Sequence, residues 1–409
     1  MNNIAQIFKT DKFKTTIISI AFRTKANYDN ISKNNLLSKI FSVSSNKYNT
    51  NIKLKRKLEE MNGAVFDVSV IKKGNENIIL FYLEVLTLKE SNLIEELNFL
   101  KEFIYNPLVD DDIESFDKII FEREKSHLIS DIKNRKDKIN EYVLDRCIEE
   151  MYGKKGFGLN GIGYLDSINN INSRNLYIYY KELLKKSAVE IIIVGNVNIE
   201  NVKNYLRENF IDLLFRKLHF DFDKEIFNDD YKEIFEKSDL KQGKLCIGFK
   251  SGICLDSDNF IPFLIFNEIL GATPNSRLFL EVREKNGLCY YINSFIYKFK
   301  GTMIIQAGID SNNYNDTIEI IKNIFEETRK NIKDNEILNA KNSLIKIFNE
   351  IYDDLPSICD NILNNIIIGN YENIFNIDNY IESINKCNKE QILFAANKLK
   401  LDTIYFLSD

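Results

Sequence analysis

The sequence predicts an α+β protein of two homologous domains, each a mainly antiparallel sheet packed against helices on one face. Three observations lead to this prediction. Short β-branched stretches alternate with longer stretches of helical apolar periodicity. One order of elements occurs twice along the chain. The chain also has 409 residues, more than one domain usually contains.

The first half reads strand, helix, helix, hairpin, helix. Residues 15–24, "TTIISIAFRT", are typical of a strand. Two helical stretches follow, "NISKNNLLSKIFSVSSNK" and "KLKRKLEEMNG", and Gly63 closes the second. "AVFDVSVIKKGNENIILFYLEVL" predicts two antiparallel strands around "KKGNEN". "SNLIEELNFLKEFIYNP" predicts a helix with Ser91 as its N-cap.

The second half repeats this order. "GKLCIGFKSGI" predicts a strand, "DNFIPFLIFNEILG" a helix ending at Gly271, and "SRLFLEVREKNG" a shorter helix ending at Gly287. Two strands around "KFKG" and the amphipathic stretch "YNDTIEIIKNIFEETRKNI" complete the repeat. Each half then adds further helices, among them the long stretch "IIFEREKSHLISDIKNRKDKINEYVLDRCIEEMYG" in the first half.

We interpret the repetition as two copies of one domain of roughly 200 residues. The predicted N-terminal domain spans 1–215 and the predicted C-terminal domain spans 239–409. Residues 216–238, which are charged and aromatic, are predicted to form the interdomain linker.

Composition and charge narrow the class of protein. The net charge is −5, with acidic and basic residues mixed, which argues against nucleic acid as the main partner. Polar residues interrupt every apolar run of the first segment, so neither a signal peptide nor a membrane anchor is predicted. The six cysteines are far apart and form no Cys-x-x-Cys pair, as in reduced proteins. We therefore expect a cytoplasmic protein that binds neither nucleic acid nor membrane.

Several short motifs, in order along the chain, resemble the pitrilysin/insulinase family of inverted zinc peptidases. "LEEMNGA" is similar to the family's Leu-Glu-x-x-Gly-Gly-x turn, "FIYNPL" to its helix-ending Asn-Pro-Leu, and "EREKSHLISDI" to its Glu-Arg-Glu helix. "SAVEIIIVGNVNIENV" is similar to the strand that closes the family's first domain. The likeness covers essentially the whole chain. It is of the half-sized, two-domain type found in the mitochondrial processing peptidase and in bacterial two-chain relatives.

The resemblance implies that the zinc site of the family is lost. Active members carry His-x-x-Glu-His on the helix after the first strand, where two histidines bind zinc and the glutamate activates a water. These three positions fall at or within a residue of Asn35, Ser38 and Lys39, and the third ligand falls on or near Asp131. One carboxylate without nitrogen or sulfur partners cannot hold zinc. The family's peptide-binding edge strand would fall at residues 67–70, where its Asn-Ala-x-Thr sequence is poorly matched.

The second half keeps a different part of the family's site. "SRLFLEVREKNGLCY" matches the family around an arginine and a tyrosine of the C-terminal domain, here Arg283 and Tyr290. A guanidinium can grip a substrate carbonyl, and a phenol can donate to a developing oxyanion. In bacterial two-chain relatives, the subunit without zinc supplies this pair to its partner's metal. Tyr291 and Glu281 are expected to be structural.

The resemblance thus implies a non-catalytic subunit of a heteromeric zinc metallopeptidase. The chain would bind an unfolded peptide and donate Arg283 and Tyr290 to the zinc site of a homologous partner. No cofactor is expected in this chain, and zinc is expected in the partner. Two alternatives stay open: an inert scaffold or peptide-binding interaction protein, and a self-sufficient peptidase with an unusual site. A homodimer in the absence of the partner also stays open.

Three smaller features receive plainer interpretations. His127 and Asp131 lie four residues apart on one predicted helix, with Glu124 nearby. Two ligands make a weak metal site, and a surface or hydrogen-bonded histidine is the simpler interpretation. His219 in the predicted linker is taken as incidental. The acidic run at 110–112 precedes a helix, where such charges are usually solvated.

Overall fold

The computed structural model describes residues 5–110, 112–213, 230–371, 375 and 377–408. It confirms the predicted α+β class, with two five-stranded sheets and their helices. In the described ranges, no helix has the length and apolar character needed to cross a bilayer. Residues 216–229 of the predicted linker lie outside the described residues, and His219 is one of them.

The first part of the chain, up to residue 213, contains seven strands and eight helices among its described residues. They are β1 (Gln6–Lys9), β2 (Thr15–Lys25), α1 (Tyr28–Val43), α2 (Asn51–Glu60), β3 (Val65–Lys73), β4 (Glu76–Leu86), α3 (Ile94–Tyr105), β5 (Val109–Asp110), β6 (Ser115–Phe116), α4 (Lys118–Lys133), α5 (Ile139–Tyr152), α6 (Leu165–Asn169), α7 (Ser173–Lys186), β7 (Ala188–Gly195) and α8 (Ile199–Asn209).

The second part, from residue 230, contains five strands and six α-helices among its described residues, together with two π-helical segments. They are β8 (Lys232–Lys237), β9 (Gly243–Lys250), α9 (Phe260–Asn267), the π-helical segments Glu268–Ala272 and Phe279–Lys285, β10 (Cys289–Tyr297), β11 (Thr302–Ile309), α10 (Tyr314–Lys330), α11 (Asp334–Ile351), α12 (Leu355–Ile367), α13 (Ile377–Lys386), α14 (Lys389–Lys398) and β12 (Lys400–Ser408).

The two large sheets have the same topology. The first has the strand order β1-β7-β2-β4-β3, and the second, read in the matching direction, has the order β8-β12-β9-β11-β10. In both sheets the outermost pair at one edge is parallel, and every other neighbouring pair is antiparallel. This correspondence shows that the repeat read from the sequence is a repeat of structure.

The compact units of the fold are not contiguous in sequence. The first unit comprises 1–134, 159–220 and 352–375, and the second comprises 135–158, 221–351 and 376–409. Helix α5 therefore belongs to the second unit, although it lies in the first half of the sequence, and α12 belongs to the first unit. The predicted boundaries followed the repeat along the chain, and the pattern of the sequence contains no sign of this reciprocal exchange.

In the first unit, the exchanged segment covers the sheet face opposite the main helical layer. Strands β2 and β7 are buried along nearly their whole length, as expected for a sheet covered on both faces. Helix α12 packs against both strands. Below it, the buried Arg23 guanidinium donates to both carboxylate oxygens of Glu76 at 2.7 Å and to Glu190 at 3.0 Å. Tyr371, from the exchanged segment, donates to Glu190 at 3.4 Å.

In the second unit, α5 covers the equivalent face of the second sheet. Its buried side chains, including Cys147 and Met151, form a cluster with Cys246 and Tyr405 of the sheet. Gly248 of β9 allows this close approach, because a Cβ there would lie 2.2 Å from the Met151 sulfur. The sheet face would otherwise expose apolar side chains to water.

A polar cluster ties α5 to the edge of this sheet. Glu236 of β8 accepts hydrogen bonds from the hydroxyls of Tyr142, at 2.7 Å, and Tyr405. Lys136 lies 3.2 Å from the same carboxylate and Arg146 lies 3.8 Å from it. Partial burial alone would raise the pKa of Glu236, but these tyrosine and lysine donors outweigh burial and lower it.

Several sequence predictions need correction. Ser91 is not the N-cap of α3: the helix begins after Leu93, which adopts a left-handed conformation, and the Ser91 hydroxyl accepts from the Leu93 amide instead. The long stretch that contains α4 and α5 is broken by a 3₁₀ turn at Asn134–Asp137. Residues 232–237 of the predicted linker form strand β8, which pairs with β12.

We expect Glu236→Gln to weaken the attachment of α5 and to change the pH dependence of stability. A carboxylate whose pKa is lowered by folding stabilises the native state at pH values above 4.5, its ordinary pKa. That contribution is lost as the pH falls through the folded-state pKa. Urea unfolding near neutral pH should show the variant to be less stable than the wild type, and the difference should shrink in acid. The same change at exposed Glu390 is the control, and an unchanged midpoint for Glu236→Gln would contradict the assignment.

Candidate functional site

Helix α1 carries the three positions that match the lost His-x-x-Glu-His motif. Asn27 caps the helix in a capping box, so the helix starts at a defined point and places Asn35 and Lys39 on one face, one turn apart. The Asn35 amide nitrogen donates to the carbonyls of Ile31 and Gly161, at 2.9 and 2.8 Å. Both amide hydrogens are therefore used inside the unit.

Ser38 is the position that the sequence alignment matches, to within a residue, to the family's catalytic glutamate. Its side chain is buried, and its hydroxyl donates to the carbonyl of Asn35 at 2.9 Å. A hydroxyl engaged in this way has no proton-accepting strength comparable to that of a carboxylate. The position therefore offers no general base.

Lys39 and Asp131 form an ion pair across α1 and α4, with 2.7 Å between the ammonium nitrogen and a carboxylate oxygen. The contact brings together the two positions that the family alignment assigns to metal ligands. The side chains are 30% and 49% exposed, so solvent screens the pair, and such pairs contribute only about 0.2–1 kcal/mol to stability. The main consequence of the pair is therefore that an ammonium, held by a carboxylate, occupies the position that the alignment matches to a metal ligand.

The residues at these four positions do not fit zinc. Zinc in proteins is held by thiolate, imidazole or carboxylate groups, whereas this set consists of an amide, a hydroxyl, an ammonium and one carboxylate that is already paired. Within the described ranges, no three His, Cys, Asp or Glu side chains are grouped closely enough to hold a metal ion. The nearby His127 is exposed, and its Nδ1 lies 3.1 Å from Glu124.

The predicted peptide-binding strand is part of β3, the outermost strand of the first sheet. Asp67 is exposed there, and Val68 is buried against the core. Because β3 pairs only with β4 among the described strands, its outer backbone groups can accept another extended segment.

Arg283 lies in the second unit, in the π-helical segment Phe279–Lys285. Wider π turns occur often at functional sites. The segment ends where Gly287 adopts a φ of +62°, which glycine tolerates best. The amides of Gly287 and Leu288 donate back to the carbonyls of Arg283 and Val282, both at 3.1 Å. This reversal sends the chain from the helical segment into β10.

Tyr290 is the extra residue of a β-bulge in β10. Cys289 pairs with Ile309 and Tyr291 with Gly308, so Tyr290 has no partner on β11. Bulges re-aim side chains and are frequent beside active sites. The Tyr290 side chain is 70% exposed, whereas Tyr291 is held by a 3.0 Å hydrogen bond to Asn140.

Arg283 and the start of β10 lie close together. Burial raises the pKa of the Cys289 thiol to about 11, and the positive charge of Arg283 opposes that rise. The Arg283 guanidinium lies over the Phe279 ring at 4.8 Å, and its nearest carboxylate is that of Glu284, at 3.7 Å. Among the described residues, neither the guanidinium nor the Tyr290 hydroxyl makes a hydrogen bond. Both groups are free to bind a ligand from outside the chain.

Two supporting features of this site could not be read from the sequence. The buried Ser294 hydroxyl of β10 donates to the side-chain oxygen of Asn267 at 2.8 Å. Gly271 packs so closely that a Cβ there would lie 2.6 Å from the Ser294 hydroxyl. Gly271 thus lies inside the first π-helical segment and fixes its distance from β10, instead of ending a helix as predicted.

Comparisons with known proteins agree with the fold and with the altered site. Residues 170–344 match the family model described as "Peptidase M16 inactive domain". The chain is 26% identical over 418 residues to "Probable inactive metalloprotease YmfF" of Bacillus subtilis, covering 98% of this chain and 95% of the relative.

Two solved structures share the fold. A conserved protein from Enterococcus faecalis superposes with a TM-score of 0.89 at 27% identity, over 98% of this chain and 95% of that one. A chain of complex III from Candida albicans superposes with a TM-score of 0.77 at 13% identity, over 100% and 94% of the two chains.

The two repeated sheets give the chain the two-domain fold of these similar proteins. The matches confirm the resemblance seen in the sequence. The chain resembles half-sized members of the pitrilysin/insulinase, or M16, family, and both the family model and the Bacillus subtilis relative that it matches are described as inactive.

Removing Arg283 should barely change stability, because it makes no internal hydrogen bond. We expect Arg283→Ala to lower the free energy of unfolding by about 0.5 kcal/mol, the value of an exposed cation–π contact. Arg277→Ala is the matched comparison. Its guanidinium makes two hydrogen bonds to Glu336, at 2.7 and 2.6 Å, and its loss should cost about 2 kcal/mol. Equal losses in urea unfolding would contradict the view that Arg283 is free for a ligand.

Proposed function

We propose that this chain is the non-catalytic subunit of a heteromeric zinc metallopeptidase. It binds an unfolded peptide and donates Arg283 and Tyr290 to the zinc site of a homologous partner. The observation that carries the proposal is the contrast between its two candidate sites. The positions matched to metal ligands do not carry a set of residues that binds zinc, whereas the arginine and tyrosine have exposed donors that make no hydrogen bond among the described residues.

The chemistry of the two free donors suits peptide hydrolysis. A planar guanidinium can hold a peptide carbonyl with two donors, and an exposed phenol can donate to the oxygen that becomes negative in the transition state. The partner would supply the metal and the general base, which this chain lacks. The peptide would add as a strand to an open sheet edge such as β3.

Names of similar proteins support parts of this proposal. The curated relative is called a probable inactive metalloprotease, and one structural neighbour is a chain of a multi-subunit complex. We also place the assembly in the cytoplasm. This location is supported by the six cysteines, which are all free thiols, as is usual in a reducing compartment.

The proposal predicts peptidase activity that needs both chains. Peptide cleavage is measured for this chain alone, for a homologous chain with an intact His-x-x-Glu-His motif alone, and for their equimolar mixture with zinc. Only the mixture should be fully active. Arg283→Ala or Tyr290→Phe in this chain should lower the rate of the mixture about 100-fold, because each removes a transition-state donor.

Lys285→Ala is the control, since Lys285 lies in the same segment and, within the part of the chain that the structure describes, donates only to Glu281, at 2.8 Å. It should leave the rate of the mixture unchanged. Full activity of the partner alone, with no effect of Arg283→Ala, would refute the split site and favour an inert scaffold. Cleavage by this chain alone would indicate a self-sufficient peptidase.

A further inference from the structure

The ion pair at the position matched to the lost metal site holds the Lys39 ammonium on α1. We propose that the Lys39 ammonium, held by Asp131, is an anchoring site for a carbonyl or carboxylate oxygen of a peptide bound to the first unit. The inference rests on the proposed function, in which the chain binds unfolded peptide, and it names the group in the first unit that holds this peptide.

Lys39 has hydrogen-bonding capacity to spare. An ammonium has three donors, and Asp131 takes one of them, at 2.7 Å. No other partner of this nitrogen lies in the described part of the chain. The side chain is 30% exposed, so a ligand can reach the remaining donors, and Asp131 fixes where the nitrogen sits.

The neighbouring positions cannot take this role. Both amide hydrogens of Asn35 are bound to backbone carbonyls, and the buried Ser38 hydroxyl is bound to the carbonyl of Asn35. Of the four positions that match the metal site, only Lys39 presents free donors within the described residues, and the one carboxylate among them, Asp131, is already paired with that ammonium. An oxygen held by Lys39 would therefore be bound without being hydrolysed.

The surrounding fold offers a path for the peptide. Helix α1 packs against β3, the last strand of the first sheet. An extended segment added to the outer edge of β3 would run beside α1, with a carbonyl at every residue. A compact ammonium suits one such oxygen, and a charge-assisted hydrogen bond is stronger than a neutral one.

The test measures binding to the isolated full-length chain, so no partner activity enters it. Fluorescence anisotropy follows a dye-labelled, unstructured peptide, prepared with either a free or an amidated C-terminus. Lys39→Met should weaken binding about tenfold, the loss of one charge-assisted hydrogen bond. Lys39→Arg should restore most of it. Asp131→Asn should weaken binding less than Lys39→Met does, because the ammonium remains but loses the carboxylate that positions it.

Lys33→Met is the matched control, since Lys33 also lies on α1 and its ammonium lies 5.2 Å from the centre of the Tyr179 ring. The affinity of this variant for the peptide should not change. Thermal unfolding confirms that each variant is folded. A loss of affinity confined to the free C-terminus identifies a carboxylate, and a loss for both peptides identifies an internal carbonyl.

Equal affinities of Lys39→Met and the wild type, or no binding by the wild type, would overturn the anchor. Donation of Arg283 and Tyr290 would be unaffected by either result, because it is measured as activity of the mixture. Conversely, failure of the mixture assay would leave the binding result intact.

Discussion

The fold depends on the reciprocal exchange of α5 and α12. Each sheet has apolar side chains on both faces, and one face of each is sealed by a helix that lies, in sequence, in the other half of the chain. Burial of apolar surface is the dominant favourable term in folding, so neither half of the sequence can satisfy its own sheet. The buried Arg23 cluster and the Glu236 cluster mark the two places where exchanged segments also meet charged or polar groups.

Local patterns in the sequence predict much of this architecture. The strands, most helices and the hairpin pairs follow from alternation, helical periodicity and turn residues, and the repeat in sequence matches the repeat of sheet topology. The exchange could not be predicted, because an amphipathic stretch indicates that a helix buries one face but not which sheet it covers. The N-cap prediction for Ser91 was wrong because its hydroxyl accepts from the amide of Leu93, in a turn just before the helix. Leu93 adopts a left-handed conformation, and helix α3 begins after it.

The residue types of the candidate site could also be predicted from the sequence, whereas their contacts could not. The residue types at Asn35, Ser38, Lys39 and Asp131 were enough to predict the loss of zinc ligation, since ligand chemistry depends on side-chain identity. Their contacts were not predictable, and the Lys39–Asp131 pair is a product of how α1 and α4 pack. Likewise, the motif indicated Arg283 and Tyr290, but the π-helical segment and the β-bulge that present them depend on backbone irregularities with no sequence signature of their own.

The two units have therefore diverged in chemistry on a common scaffold. The first has a lysine paired with an aspartate where the alignment predicts metal ligands, and the second has an arginine and a tyrosine whose donors make no hydrogen bond among the described residues. The measurement that tests this account most directly is the zinc content of the purified chain after dialysis against zinc, with a homologue bearing His-x-x-Glu-His treated in parallel. The account predicts stoichiometric zinc in the homologue and only trace zinc in this chain. One tightly held zinc per chain would contradict it.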